Sequence, residues 1–253
     1  MRIALQPAFV LHHRAYRETS ILLDLFTEEY GRVAVIARGV RQNRSRLRSL
    51  LQPFVPLLVS WQGNSELMTM LTAESNGYSR QLRGECLFSG LYLNELLMRV
   101  LHKQDPHPEL YTIYQDTLLE LQNAQLLHKT LRLFEKRLLE TLGYGLQLKH
   151  DAAKNQDFIA GKYYRFHLEH GFEVCEEAQT APGQGSIFSG KSLLALATEQ
   201  LDDAACLYDA KRLMRLALAP LLGERQLRSR QLFINVKSPL ARAKEGCVED
   251  VPS

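Results

Sequence analysis

The sequence predicts an α+β protein of two domains, a small N-terminal β barrel followed by a mainly α-helical domain. Two observations carry this. Through the first 75 residues, short apolar runs alternate with turn residues, and no helix-length repeat intervenes. Near Ser79 the pattern changes, and apolar residues recur at three- and four-residue spacing.

The strands follow in order. Ala8-Phe9-Val10-Leu11 is an apolar run that ends at a polar break from His12 to Thr19, and Ile21-Leu22-Leu23 resumes it. Tyr30-Gly31-Arg32 reads as a turn into Val33–Ala37. Pro53 and Pro56 bracket an extended entry into Leu57–Trp61, and Gln62-Gly63-Asn64 turns the chain so that Leu67–Thr72 pairs back as a hairpin. About five short strands are best closed into a barrel, which leaves no open edge. An OB-type and an SH3-like barrel both satisfy this pattern.

The helical domain begins with the run from Leu82 to Leu101, in which Leu87, Leu91, Leu93, Leu96, Leu97, Val100 and Leu101 recur at helical spacing. Asp105-Pro106-His107-Pro108 breaks it. Glu109–Leu121 and Leu126–Leu142 are further helices, the second ended by Gly143 and Gly145. Residues 146–190 differ: Tyr163–Leu168 is extended, Gly171-Phe172 reads as a turn, and Ala181–Gly185 is loose, as in an insertion between helices. Ser192–Thr198 and Cys206–Ala219 are helices, the latter running past Pro220 to end at Leu222-Gly223, and Leu227–Phe233 is a candidate last helix. The expected boundaries are 1–80 for the barrel, 81–238 for the helical domain and 239–253 for a flexible tail.

Composition narrows the function classes. Of 253 residues 45% are hydrophobic and 23% charged, ordinary for a globular protein, and the formal net charge is +3. The distribution says more than the sum. Residues 1–80 hold ten Lys/Arg against six Asp/Glu, six of the ten between Arg32 and Arg48, and a second basic run spans Lys211–Arg230. Local patches on a near-neutral body suggest directed contact with a polyanion, against the plain alternative of a solvated surface. No apolar run is long enough for a membrane span, and the first residues lack the pattern of a signal peptide. Four cysteines, Cys86, Cys175, Cys206 and Cys247, form no CxxC pair, which fits free thiols in a reducing cytoplasm. Cys86 and Cys206 sit in apolar helical patterns and read as core thiols.

The sequence offers no catalytic motif. GxGxxG, the P-loop, HExxH and GxSxG are all missing. Cys175 lies near His150, Asp157, His167 and His170, but a structural zinc site brings four ligands in close pairs, so no metal is expected. Asp24, Glu66 and Glu74 would have to converge for two-metal nuclease chemistry, and nothing in the pattern fixes them in a cleft. A metal-dependent nuclease and an interaction module without a DNA role remain the alternatives to a binding protein.

Binding is the reading the charges favour. Arg38, Arg41, Arg44, Arg46 and Arg48 fall within 11 residues that contain no acid, between two strands, and together with Arg32 they are the candidate DNA contacts. Such a loop suits a phosphate backbone, since each guanidinium offers a fixed fork of donors and keeps its charge. Tyr16, Tyr30, Phe54 and Trp61 are candidate base-stacking aromatics. Phe54, between two prolines, reads first as a core anchor, and Trp61 reads equally as either. In the helical domain, Arg132 and Lys136 stand four apart beside Leu131, Phe134, Leu138 and Leu139. They suit a short acidic peptide, with the alternative that Arg132 pairs with Glu135.

Several segments also resemble a known family. They are Ala8–His12, Arg17–Ser20, Phe26–Arg32, Ala37–Arg41, Leu51–Phe54, Gly90–Leu96, Arg132–Glu135 and Leu142–Gly145. Their order and spacing, above all GLYLNELL followed by RLFEKRLLETLGYG, resemble the bacterial RecO family of DNA repair and recombination mediators. The resemblance implies an N-terminal OB fold and a C-terminal helical domain. It implies binding of single- and double-stranded DNA, strand annealing, and help in loading RecA onto DNA coated by single-strand binding protein, with RecR as partner. Residues Arg38–Arg48 would then touch DNA, and Arg132 would hold the acidic C-terminal tail of the single-strand binding protein. Other members carry a four-cysteine zinc module in the middle of the helical region. Cys175 alone stands there in this chain, so the segment 146–190 would keep the module's outline without its metal. Such a protein would be cytoplasmic and nucleoid-associated.

Overall fold

A computed structural model describes residues 1–42, 47–79, 81–152, 155–175, 186–223 and 226–229. The chain forms two compact units, Met1–Asp105 with the described residues after 223, and Pro106–Gly223.

In the first unit five strands close a barrel: β1 (Arg2–Tyr16), β2 (Ser20–Thr27), β3 (Gly31–Ala37), β4 (Leu57–Gln62) and β5 (Leu67–Ser75). A short helix, α1 (Leu47–Leu50), lies between β3 and β4. Around the barrel the order is β1-β2-β3-β5-β4, with β1 pairing back onto β4. The β3–β5 pair is parallel and the others are antiparallel. This is the Greek-key closure of an OB barrel and decides between the two barrels the pattern allowed.

The interior is filled by alternate residues, among them Ala8 and Val10 of β1, Leu23 and Leu25 of β2, Val33 and Val35 of β3, and Val59 and Trp61 of β4. Their neighbours Phe9, Leu11 and Phe26 point the other way and are also buried. The cover on β1 is helix α2 (Gly84–Val100). Gly90 of α2 makes that approach possible, since a Cβ there would come within 2.8 Å of the Phe54 ring and 2.7 Å of Leu82 Cδ1. Thus helical structure begins near residue 84, while compactness groups this first helix with the barrel.

β1 differs from its expected form. It is one strand of 15 residues that runs straight through the polar stretch His12–Arg14. Its first part pairs with β4 and the rest with β2, the two pairings meeting at Ala8, and the pairing with β2 is irregular between Val10 and His12. The Asn94 amide of α2 donates to the carbonyls of Leu11 (2.9 Å) and Val10 (3.4 Å) at this point. One helix turn serves both ends of the unit, because Glu95 accepts from the backbone N–H groups of Arg228 and Ser229, each at 2.9 Å, and from the Ser229 hydroxyl. Burial opposes ionisation of Glu95. Those donors and nearby Arg99 outweigh it and hold the carboxyl below its usual range.

The second unit contains α3 (Pro108–Glu120), α4 (Leu127–Thr141), α5 (Gly190–Ala197) and α6 (Ala204–Leu222). Pro108 occupies the first helical position of α3, where its missing N–H costs nothing. α3 and α4 pack through an edge-on Tyr114–Phe134 ring pair. α6 continues through Pro220 and stops at Gly223, whose φ of 64° suits glycine. The segment expected to be an insertion carries a three-stranded antiparallel sheet of β6 (Tyr163–His167), β7 (Gly171–Val174) and β8 (Ile187–Ser189), ordered β7-β6-β8. Gly171-Phe172 therefore begins a strand, and the turn precedes it. Phe158, Tyr164, Phe166 and Phe172 give the sheet an aromatic core. Cys86 and Cys206 are buried. Cys247, most of the candidate helix 227–233 and the tail 239–253 lie outside the described residues.

Candidate nucleic-acid interface

Strands β2 and β3 pair from Thr27 with Gly31 to Ile21 with Ala37, so Arg38 emerges where β3 leaves the barrel, beside the start of β2. Arg38, Arg41 and Arg48 are exposed. Arg44 and Arg46 lie outside the described residues. Arg32 points elsewhere. It is half-buried and its Nη1 donates to the Met98 carbonyl of α2, while its buried Nε has no hydrogen-bond partner.

The chain after β3 is joined to the β1–β2 turn. The Arg41 backbone N–H donates to the Thr19 carbonyl at 2.9 Å, and Arg41 Nη1 donates to the Arg17 carbonyl at 2.9 Å. Two loops distant in sequence thus form one edge of the barrel. His12, His13, Arg14 and Arg17 are exposed there, with Glu18 the acidic residue in the turn. The sequence showed this stretch as a polar break between strands. Its position beside the arginine loop comes from the tertiary fold.

Among the aromatics, Trp61 and Phe54 are buried. Tyr30 packs against the barrel core and meets Trp61 edge-on at 5.5 Å. Tyr16 is half-buried at the end of β1, with the Arg17 guanidinium 5.3 Å from its ring centroid.

In the second unit Arg132 and Lys136 lie on α4, and both are engaged. Arg132 Nη2 is 2.7 Å from Glu135 Oε1 in a buried pair, and Arg132 Nε is buried with no hydrogen-bond partner. Lys136 Nζ reaches Glu199 at 3.0 Å and Glu140 at 3.1 Å, and Arg137 adds a 2.6 Å contact to Glu199. Burial would lower the Lys136 ammonium's pKa, but the two carboxylates overcome it and raise the value. The Glu199 carboxyl is held below its ordinary range, first by the Arg137 hydrogen bond.

Glu66 of the proposed carboxylate set is exposed and pairs with Lys103 at 2.7 Å. Among the described residues no three His, Cys, Asp or Glu side chains gather as a metal site would require. His150 instead pairs with Asp157 at 2.7 Å. No helix of the described residues is long and apolar enough to cross a membrane.

Strand order and closure define an OB-fold protein, here with a helical unit following it. Comparison with known proteins gives the family. The family model for recombination protein O, N terminal, matches residues 1–78, and that for recombination protein O, C terminal, matches residues 83–231. The chain is 46% identical over 232 residues to the DNA repair protein RecO of Coxiella burnetii (strain RSA 331 / Henzerling II), covering 92% of this chain and 98% of that protein. It is 47% identical over 234 residues to the DNA repair protein RecO of Nitrosococcus oceani, covering 92% and 94%. The chain belongs to the RecO family of DNA repair proteins.

Proposed function

We propose that this protein is a recombination mediator that binds single- and double-stranded DNA, anneals complementary strands, and helps load RecA onto DNA coated by single-strand binding protein, with RecR as partner. The observation that supports it most is the exposed, acid-free arginine series Arg38, Arg41 and Arg48 on a closed OB barrel. Arg44 and Arg46 belong to the same series in sequence. Guanidiniums here would neutralise backbone phosphates and release counterions, with little dependence on base sequence. Annealing needs no bond making, since a basic surface lowers the repulsion between two strands and leaves their bases free to pair. Arg32, committed to the Met98 carbonyl, would orient this edge rather than reach phosphate.

Arg132 and Lys136 are the proposed seat for the acidic tail of the single-strand binding protein. The buried, unpartnered Nε–H of Arg132 is a donor that an incoming carboxylate would satisfy. Holding the tail would raise the local concentration of the mediator beside coated DNA. Such a role places the protein in the cytoplasm, at the nucleoid.

The test is DNA binding across a salt series with Arg38, Arg41, Arg44, Arg46 and Arg48 all changed to alanine. If each meets one phosphate, the logarithmic salt slope on single strands falls by about 3.5. An unchanged slope removes the loop from the mechanism. In parallel, Arg132→Ala should weaken calorimetric binding of an acidic tail peptide and leave binding of naked DNA as in the parent, and equal peptide affinity refutes the tail site.

A further inference from the structure

The outer half of β1 was a polar gap in the sequence and is a continuous exposed strand in the fold. His12, His13, Arg14 and Ala15 are all exposed, Tyr16 is half-buried, and Arg17 begins the turn. Three histidines or arginines and an aromatic ring fall in five residues with no acid among them. On the facing strand Ile21, Leu22, Leu23 and Leu25 are buried, so this half of the hairpin places its polar side chains on the outer edge of the barrel.

We infer that the segment His12–Arg17 is a contact for single-stranded DNA in which Tyr16 stacks on an unpaired base and Arg14 and Arg17 hold the flanking phosphates. The inference rests on the DNA-binding reading above and adds a means of telling unpaired from paired strands.

Three features of the segment support it. First, the other barrel aromatics weighed for stacking are committed, with Phe54 and Trp61 buried and Tyr30 against the core. Second, Arg17 adopts φ 52°, the left-handed region. Glycine adopts that conformation freely, and a larger side chain there costs about 1 kcal/mol or more. Arginine at such a position is explained by what its side chain does, which here is to lie 5.3 Å from the Tyr16 ring centroid beside open solvent. Third, the turn is held in place by the arginine loop itself, through the two bonds from Arg41 to Arg17 and Thr19. A strand held at Arg41 would therefore meet the turn that carries Arg17, next to Tyr16.

A π face accepts any base, so the contact would be tolerant of sequence. In a duplex the bases are already stacked on one another and offer no free face. Phosphate contacts serve both forms of DNA, but the ring serves the unpaired form.

The test uses the full-length protein with a fluorescein-labelled oligo-dT and a duplex of equal length, titrated at several salt concentrations. Tyr16→Ala should weaken oligo-dT binding about fivefold or more, change duplex binding by less than about twofold, and leave the salt slope as in the parent, because stacking releases no counterions. Tyr16→Phe keeps the ring and should bind as the parent does. Equal losses on both DNA forms, a Tyr16→Phe variant as weak as Tyr16→Ala, or an unaffected Tyr16→Ala variant would each overturn the inference while leaving the arginine loop standing. A parent protein that ignores both DNAs in dilute buffer would overturn the DNA-binding reading and this one with it.

Discussion

Asn94 supplies a sharp test of how the barrel is aimed. Its side chain is 3% exposed, and its amide donates to the two carbonyls at the irregularity in the β1–β2 pairing between Val10 and His12. Asn94→Ala removes a good bond to Leu11 and a longer one to Val10, leaving their carbonyl oxygens in a buried site without these donors. Each such group costs about 1–3 kcal/mol. Weighting the 3.4 Å contact lightly gives a loss of about 2–3 kcal/mol for the first unit. Asn94→Asp is close to isosteric but sets a carboxyl against two carbonyl oxygens. Ionised, it would cost more than the alanine variant. Protonated, its hydroxyl can still donate to Leu11. The folded-state pKa of that aspartate is therefore raised above its unfolded value near 3.9. Relative to the parent, the aspartate variant should lose stability as pH rises through that interval, so it is weaker at pH 8 than at pH 5. The single tryptophan of the sequence, Trp61, sits in the barrel core, so urea unfolding followed by its fluorescence reads this unit alone. With a urea slope of about 1.5 kcal/mol/M, the alanine variant should unfold about 1.3–2 M earlier. A midpoint within about 0.3 M of the parent, or an aspartate variant indifferent to pH, would show that the amide does not fix the strand.

Gly31 has φ 61° and stands where a Cβ would fall 2.0 Å from the Asp105 carbonyl oxygen. Gly31→Ala should therefore lower the Trp61-reported melting temperature by about 10 °C or more, and a shift of a degree or two would contradict the packing. Glu199 ends α5 with φ 60°, its N–H directed to Leu196 and that of Gln200 to Ala195, the bonding of a helix end usually completed by glycine. Glu199→Gln removes the charge from the Lys136 and Arg137 pairs but keeps the strained backbone, whereas Glu199→Gly removes the charge and relieves about 1 kcal/mol. The glutamine variant should thus be the less stable of the two by thermal melting at 222 nm, and the reverse order would refute the account. Because the Glu199 carboxyl titrates below its ordinary value, its stabilisation is complete above about pH 4.5 and fades as pH falls through the folded-state value. The acid limb of the melting profile should accordingly flatten in Glu199→Gln.

What the sequence made legible follows from the range over which each signal acts. The five strands were readable because alternation and turn residues are local, and the helices because Leu recurs at helical spacing. β1 was truncated at both ends for opposite reasons. Its start, Arg2–Gln6, contains a non-glycine residue of positive φ at Leu5 and shifts register against β4, so no clean alternation survives. Its end is polar because it lies on the outside of the barrel, and exposed polar strand residues look like loop. β8 has three residues, too few to show any period. The Arg132–Glu135 pair could be written down from spacing alone, since residues three apart share a helix face. Of the two partners of Lys136, Glu140 shares its helix face four residues on, whereas Glu199 lies 63 positions away and no local pattern points to it.

The same distinction separates the two halves of the barrel edge. Arginine density is visible in a string of letters, so the loop after β3 drew attention as a polyanion contact. Strandedness is a different matter, since it needs an aromatic face at a defined place beside the charges. The sequence supplied four candidate rings and set aside only Phe54, between its prolines, as a core anchor. Closure of the barrel takes Trp61 into the interior and turns Tyr30 onto the core, α2 covers Phe54, and the Arg41 bonds bring the β1–β2 turn to the arginines. If charge alone governed binding, any of the exposed arginines would be interchangeable and single and double strands would respond alike to their loss. A ring anchored by the loop that carries the charge couples the two, so the preference for unpaired DNA would depend on Arg41 twice, once through its charge and once through the carbonyls of Arg17 and Thr19 that it holds. Arg41→Lys keeps the charge and the backbone bond to Thr19 but loses the guanidinium bond from Nη1 to the Arg17 carbonyl. It should reduce single-strand preference with little change in salt slope, and an altered slope with intact preference would show that the two loops act separately.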